Sequence, residues 1–298
     1  MKRIPLGRTG LRVGAISYGC WRFSSTPIET ARANVETALD AGMTLIDTAD
    51  VYGYGEPCGF GGGEALLGEI LREAPALRER MVLATKGGVT PPTPYDARAD
   101  YLVSACEASL RRLGVEQVDL YYVHRPDLMT PADETACALD RLMADGKIGH
   151  AAVSNYSVAE IRALEAHLGA PIAALQSELS ALRQDPLTDG TMHWTQERGA
   201  AFCAWSPLGG GAIVGEGPAG DARAARVRAA VGRLAEAHGA TPAQVALAFA
   251  LQAGGDVIPI IGTQTAARSV EAAAATDLTL APRDWYDLVE AFRGAPMP

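Results

Sequence analysis

Val118-Asp119-Leu120-Tyr121-Tyr122-Val123-His124 is the stretch on which the fold of this 298-residue chain turns. Four consecutive large apolar or aromatic residues leave it no polar face. A strand of that kind is covered on both sides, the condition of a parallel strand inside an α/β fold. It ends on a histidine. Ahead of it, Tyr101 to Leu113 has the periodicity of a helix, and Gly114 supplies the stop that such a helix needs.

Outward from this unit the same alternation recurs. Strand-length apolar runs lie at Val13 to Gly19, Thr44 to Thr48, Met81 to Lys86, Val118 to His124, Gly149 to Ser154, Ala174 to Glu178, Ala201 to Ser206 and Val257 to Thr263, with helical segments between them. Eight βα units predict a (β/α)8 TIM barrel formed as one domain over 1–298. Ile4 to Val13, with Gly7 and Gly10, reads as a short N-terminal hairpin plugging one end, and a C-terminal helix follows strand eight. Pro259 sits inside strand eight although proline removes a ladder donor, which leaves that strand's limits open. Pro218-Ala219-Gly220 reads as a loop entering a helix.

Composition restricts the function classes. A chain with 48% hydrophobic residues can bury a large core. Its formal charge of −9 and pI near 5.1 exclude nucleic acid or anionic lipid as a main partner and favour a small molecule. No run approaches the roughly 18 apolar residues of a membrane span. The five cysteines, Cys20, Cys58, Cys106, Cys137 and Cys203, lack a Cys-x-x-Cys spacing and read as reduced thiols, so a cytoplasmic location is expected. His150, His167, His193 and His238 show no metal-ligand spacing, and no metal is expected.

With the strands laid in one direction, Asp47, Lys86, His124, Ser154-Asn155, Gln176, Ser206 and Thr263 fall at or beside C-terminal ends, the face where barrel enzymes build their sites. A lone Asp or Lys at a strand end is often only a paired structural charge. Seven coincident placements form a site. In Ile46-Asp47-Thr48-Ala49-Asp50-Val51-Tyr52-Gly53 a glycine-bounded loop follows Asp47 and can return Tyr52 over the mouth. Tyrosine, with an ordinary pKa near 10, needs a nearby cation to donate a proton at neutral pH. Lys86 can supply it, Asp47 can balance Lys86, and His124 can donate a hydrogen bond to a substrate oxygen.

These motifs resemble the aldo-keto reductase superfamily: Asp-Thr-Ala-x-x-Tyr at 47 to 52, Thr85-Lys86, Asp119 to His124, Val153-Ser154-Asn155-Tyr156, Trp205-Ser206-Pro207-Leu208 and Pro259 to Arg268. Within it, His124-Arg125-Pro126-Asp127, Trp205 to Gly211 and Pro259-Ile260-Ile261-Gly262 are most similar to bacterial oxidoreductases of the YdhF type. The resemblance implies hydride transfer from NADPH to an aldehyde or ketone without a metal, with Asp47, Tyr52, Lys86 and His124 catalytic and Tyr52 the proton donor. It assigns Ser154, Asn155 and Gln176 to the nicotinamide carboxamide and Trp205 to stacking on the ring. Ser206, Leu208, Gly210 and Gly211 border the pyrophosphate, Gly262, Thr263 and Arg268 the 2′-phosphate, and Glu271 the adenine, with Trp21 and Asp50 also beside the cofactor. Gly262 and Ala272 replace the lysine and asparagine of many members, so the grip on adenosine is reduced. Substrate contact is expected from Trp21, Phe23, Tyr54, Arg125 and Trp194, and the chain is expected to act as a monomer or weak homo-oligomer.

Other signals do not fit. Gly59-Phe60-Gly61-Gly62-Gly63 imitates a dinucleotide fingerprint, but Glu64 stands where the third glycine belongs, and a flexible loop before a helix from Glu64 to Arg72 is expected instead. Ser154 and Ser206 lie in no Gly-x-Ser-x-Gly context. The competing functions are an NADPH-binding redox sensor or auxiliary subunit with little turnover, and a barrel hydrolase or isomerase using Asp47 and Lys86 alone.

Overall fold

Along a strand, alternate side chains face opposite sides, and here that alternation sorts two cores. Leu45, Val82, Ala84, Leu120, Tyr122, Ala152, Ala174, Cys203, Ile258 and Ile260 pack together on the inside. Their neighbours Ile46, Leu83, Tyr121, Val153, Leu175 and Phe202 face outward and pack under the helices. The computed structural model describes residues 1–298 except 216, 218 and 219, so the loop expected at Pro218-Ala219-Gly220 lies, apart from Gly220, outside the described residues.

The eight parallel strands are Ser17–Gly19, Leu45–Asp47, Val82–Gly87, Val118–Val123, Ile148–Ser154, Ala174–Glu178, Ala201–Trp205 and Val257–Ile261. Each pairs with the next, and strand eight closes on strand one, giving the (β/α)8 barrel. Asp47 continues the inward alternation of Leu45, and Lys86 that of Val82 and Ala84. The periodicity that fills the barrel therefore also points both charges into its C-terminal mouth. Register keeps the site together, setting Asp47 beside Ala84, Lys86 beside Tyr122 and Ser154 beside Gln176.

Strand one departs from the sequence reading. Arg12–Gly14 pairs antiparallel with Arg3–Pro5, and the chain then bends, with the Ala15 N–H donating to Lys2 O at 3.0 Å, before Ser17–Gly19 enters the barrel. Ile4, Leu6 and Val13 of the hairpin close the interior at the end away from the site. Pro259 is tolerated where strand eight's pairing with strand seven ends and its pairing with strand one begins at Ile260. A hairpin after strand three, Val89–Thr90 with Thr93–Tyr95, was not expected.

The helix before strand four spans Ala99–Leu113, and Gly114 stops it at φ 68° with its N–H donating to Leu110 O. The C-terminal helix Pro282–Arg293 is anchored by Trp285, whose indole stacks on Phe249 at 4.9 Å and donates to Phe249 O at 3.0 Å. Among the described residues no helix is long and apolar enough to cross a membrane.

Candidate active site

Four segments carry the catalytic candidates to one point. Asp47 ends strand two, Lys86 lies near the end of strand three, and His124 follows strand four. Tyr52 depends on a turn. Its N–H donates to Ala49 O at 3.2 Å, the Asp50 N–H donates to Lys86 O at 3.0 Å, and the Gly63 N–H donates to Tyr52 O at 3.0 Å. Gly63 is needed for this close approach, because a Cβ there would stand 3.1 Å from the Tyr52 Cβ.

Lys86 is fully buried, and its ammonium donates all three hydrogens: to Asp47 Oδ2 at 2.6 Å, Thr48 O at 2.8 Å and Tyr52 Oη at 3.0 Å. Burial opposes its charge, but the Asp47 carboxylate and the Tyr52 phenol more than offset this and hold it above the ordinary lysine value. Asp47 Oδ1 accepts from Gln176 Nε2 at 3.0 Å, so both of its oxygens are engaged. Tyr52 Oη accepts from Lys86 and keeps its own hydrogen. Burial raises the phenol above its usual value while Lys86 draws it down. At neutral pH Tyr52 therefore carries its proton.

The His124 ring lies edge-on to Tyr52, with centroids 6.1 Å apart. Burial, then the Lys86 and Arg125 charges, holds its imidazole well below the usual histidine range and keeps it neutral. Nδ1 is buried without a hydrogen-bond partner, the ring makes no side-chain hydrogen bond among the described residues, and His124 lines the groove described next.

A groove of about 1060 Å³ runs from these residues across the mouth. Its wall includes Trp21, Ser154, Asn155, Gln176, Trp205, Ser206, Leu208, Gly210, Gly211, Gly262, Thr263, Arg268 and Glu271, all named from the sequence as cofactor contacts. Trp205 Nε1 donates to Asn155 Oδ1 at 3.0 Å, and Asn155 Nδ2 donates to Ser154 Oγ at 2.7 Å, which fixes the indole over the mouth. Asn155 and Ser206 hold φ of 60° and 50°, a conformation uncommon outside glycine that concentrates at functional sites. A Cβ on Gly210 or Gly211 would meet nothing within 4 Å, so this turn opens its backbone to a ligand. The exposed Arg268 side chain makes no ion pair or hydrogen bond among the described residues, whereas Glu271 already accepts from Thr241 Oγ1 at 2.6 Å.

Besides the fully buried Lys86, four residues named from the sequence do not line this groove. Asp50 turns behind strand three, where a Cβ on Gly87 would meet both Asp50 Oδ2 and Tyr121 Oη. Neither of its carboxylate oxygens has a hydrogen-bond partner, and burial with the nearby Glu64 raises it well above the carboxylate range. Phe23 is the buried residue of the 3-10 helix Trp21–Ser25 and packs on Tyr18 at 6.2 Å, which leaves Trp21 facing out. Trp194 is 2% exposed on the helix Thr191–Arg198 and donates to Glu165 Oε2 at 3.3 Å. Tyr54 lies exposed beyond the rim. Arg125 does line the groove, its guanidinium 6.0 Å from the Trp205 ring centroid.

The sequence reading missed Arg22 and Gln264 on the groove wall, and a buried support behind Lys86. Glu64, on the helix Gly62–Glu73, accepts from Arg112 Nε at 2.7 Å and from Thr85 Oγ1. The Glu closing the glycine run was visible. Its partner, 48 residues away, was not.

A sequence profile described as "Aldo/keto reductase family" matches residues 15–292. A 6-dehydroglucose reductase of Novosphingobium aromaticivorans is 42% identical over 296 residues, covering 98% of this chain and 96% of that protein. Oxidoreductase YdhF of Escherichia coli is 31% identical over 310 residues, the full length of both. The barrel also matches a thermostable aldo-keto reductase solved with the inhibitor epalrestat, at a TM-score of 0.84 and 27% identity over 98% of this chain and 100% of the other. With its site at the mouth of an eight-stranded barrel and the profile matched over nearly its whole length, this chain belongs to the aldo/keto reductase family, oxidoreductases acting on carbonyl and alcohol groups.

Proposed function

We propose that the chain is an NADPH-dependent carbonyl reductase in which Tyr52 is the general acid. The observation that supports this most is the saturation of Lys86, because an ammonium giving a hydrogen to Tyr52 Oη leaves the phenol's own hydrogen for the groove. A carbonyl oxygen there takes that proton from Tyr52 and a hydrogen bond from neutral His124. The phenolate that remains is stabilised by Lys86 at 3.0 Å, in a site where low dielectric strengthens the attraction. General acid catalysis of this kind contributes roughly a hundred- to ten-thousand-fold. Asp47 balances Lys86 throughout and itself needs no proton.

The residues present fit a reduced nicotinamide dinucleotide, which supplies a hydride to the carbonyl carbon when bound. Trp205 would give its ring a stacking face, and Ser154, Asn155 and Gln176 would hold its carboxamide. The Gly210–Gly211 turn offers backbone amides to phosphate. Unpaired Arg268 would favour a 2′-phosphate, and with it NADPH over NADH. The name of the Novosphingobium relative supports a sugar-derived aldehyde as the carbonyl substrate of this chain also.

The test is a stopped-flow experiment in which NADPH-loaded protein is mixed with a panel of aldehydes. The reading expects oxidation of bound NADPH in a single fast phase with at least one of them. Tight NADPH binding without oxidation across the panel would instead support a sensor or auxiliary subunit. No quenching of tryptophan fluorescence by NADPH would remove the nicotinamide from the account altogether.

A further inference from the structure

Beside the main groove a second cavity of about 440 Å³ opens between the loop after strand one and the loop after Tyr52. Trp21, Arg22, Ser24, Ser25, Thr30 and Glu56 line it, and it shares the Trp21 and Arg22 walls with the catalytic groove. Trp21 is 65% exposed and stands edge-on to Tyr52 with ring centroids 5.2 Å apart. Its indole therefore reaches from the proton donor into the cleft.

The polar groups of the cleft divide into engaged and free. The Thr26 hydroxyl already contacts Arg22 O at 2.8 Å and Gln264 Oε1 at 2.7 Å, and Arg22 Nη1 donates to Gly262 O at 3.1 Å. The side chains of Ser24, Ser25, Thr30 and Glu56 make no hydrogen bond or ion pair among the described residues. What is available is three hydroxyls, one carboxylate and the face of an indole. Arg22, the one cation on the wall among the described residues, is tied to Gly262 O and shares the cleft with the Glu56 carboxylate, so the lining carries no net positive charge to draw a phosphate or carboxylate ligand. An aliphatic chain would cover these groups without satisfying them. A neutral polyhydroxyl ring meets each need, since its hydroxyls donate to Glu56, exchange hydrogen bonds with the serines and threonine, and its C–H face packs on Trp21.

We propose that this cleft is the recognition subsite for the hydroxyl-bearing part of the substrate, seating a neutral sugar on Trp21 with its aldehyde carbon at Tyr52 and His124. The inference rests on the carbonyl-reductase reading above and adds where, and by what chemistry, the substrate is selected. Glu56, Ser24, Ser25 and Thr30 are its specificity-determining residues and take no part in proton transfer.

The experiment compares wild type, Glu56→Gln and the Ser25→Ala/Thr30→Val double variant with NADPH and two aldehydes. One is glucose oxidised to the aldehyde at C6, and the other is hexanal, of equal chain length but without hydroxyls. For Glu56→Gln, kcat/KM on the sugar aldehyde is expected to fall about tenfold, chiefly through KM, from loss of a charge-assisted hydrogen bond. On hexanal it should stay within twofold. In parallel, tryptophan fluorescence of the protein alone is titrated with glucose, the product of that reduction, and the response should weaken in Glu56→Gln. Equal losses on both aldehydes would show a structural effect and overturn the subsite. So would a wild type that prefers hexanal, or variants that leave the sugar aldehyde and glucose titrations unchanged, while the reductase reading stood. Glucose binding that depends on Glu56 without reduction of either aldehyde would keep the cleft and sink the reductase.

Discussion

Replacing Lys86 with methionine tests the electrostatics of the site. The ammonium is 1% exposed and is shared among Asp47, Thr48 O and Tyr52, while Asp47 is 4% exposed and keeps only Gln176 once the lysine is gone. Methionine preserves most of the volume, so the main loss is charge. Breaking one partner out of a buried pair typically costs about 3–5 kcal/mol, because the remaining ion is uncompensated. That is a large share of the roughly 5–15 kcal/mol that holds an ordinary domain together. Adding Asp47→Asn to Lys86→Met removes the stranded charge and keeps an oxygen for the Gln176 amide. The double variant should therefore recover a substantial part of the lost stability. Urea unfolding followed by circular dichroism measures both, with the midpoint shift as readout at unchanged slope. Both variants should lose at least a hundredfold in kcat, since neither leaves a cation on Tyr52 Oη. A Lys86→Met midpoint equal to wild type, or a double variant no more stable than the single, would refute the buried-pair argument.

Two further outcomes follow from single residues. Arg268→Ala should weaken NADPH about ten- to a hundredfold and leave NADH nearly unchanged, because only NADPH offers a 2′-phosphate for a charge-assisted bond; equal weakening in fluorescence titrations of both would sink the role given to Arg268. Asp50 has a folded-state pKa raised above its unfolded value, so its destabilising effect is absent below the ordinary aspartate range and grows as pH rises from there towards the folded pKa. Asp50→Asn should then raise the melting temperature relative to wild type more at pH 7 than at pH 4, and a gain that does not depend on pH would contradict this.

The fold was legible because one pattern, short apolar runs alternating with helical segments, recurred along the chain, and laying those runs in one direction placed Asp47, Lys86 and His124 at one end. Which way each side chain points came only from the strands' observed alternation. The fold was less legible where the chain leaves that pattern. Val13 to Gly19 reads as one strand, yet pairing with Arg3–Pro5 takes its first residues into a hairpin, a choice made by partners earlier in the chain, Ile4 for Val13 and Arg3 for Gly14. Tyr52 could be assigned to the mouth, but the contact that puts it there is with Gly63, beyond a glycine-rich loop. Asp50 and Trp194 show the limit. Each sits near the right segment, and each turns away from the groove because of neighbours the local sequence does not name: Gly87 and Tyr121 for one, Glu165 for the other. Glu64 with Arg112 and Thr85 was missed for the same reason, since an ion pair between a buried Glu64 and a half-buried Arg112 on another helix leaves no mark in periodicity.

The central claim is that Tyr52 gives its proton to the carbonyl while Lys86 holds the oxygen left behind. Tyr52→Phe keeps the ring against Trp21 and His124 and removes only the hydroxyl, so NADPH should still quench tryptophan fluorescence with an unchanged dissociation constant. In single-turnover stopped flow with an aldehyde accepted by the wild type, oxidation of bound NADPH should slow by at least a hundredfold. Oxidation at the wild-type rate, with cofactor binding intact, would contradict the account.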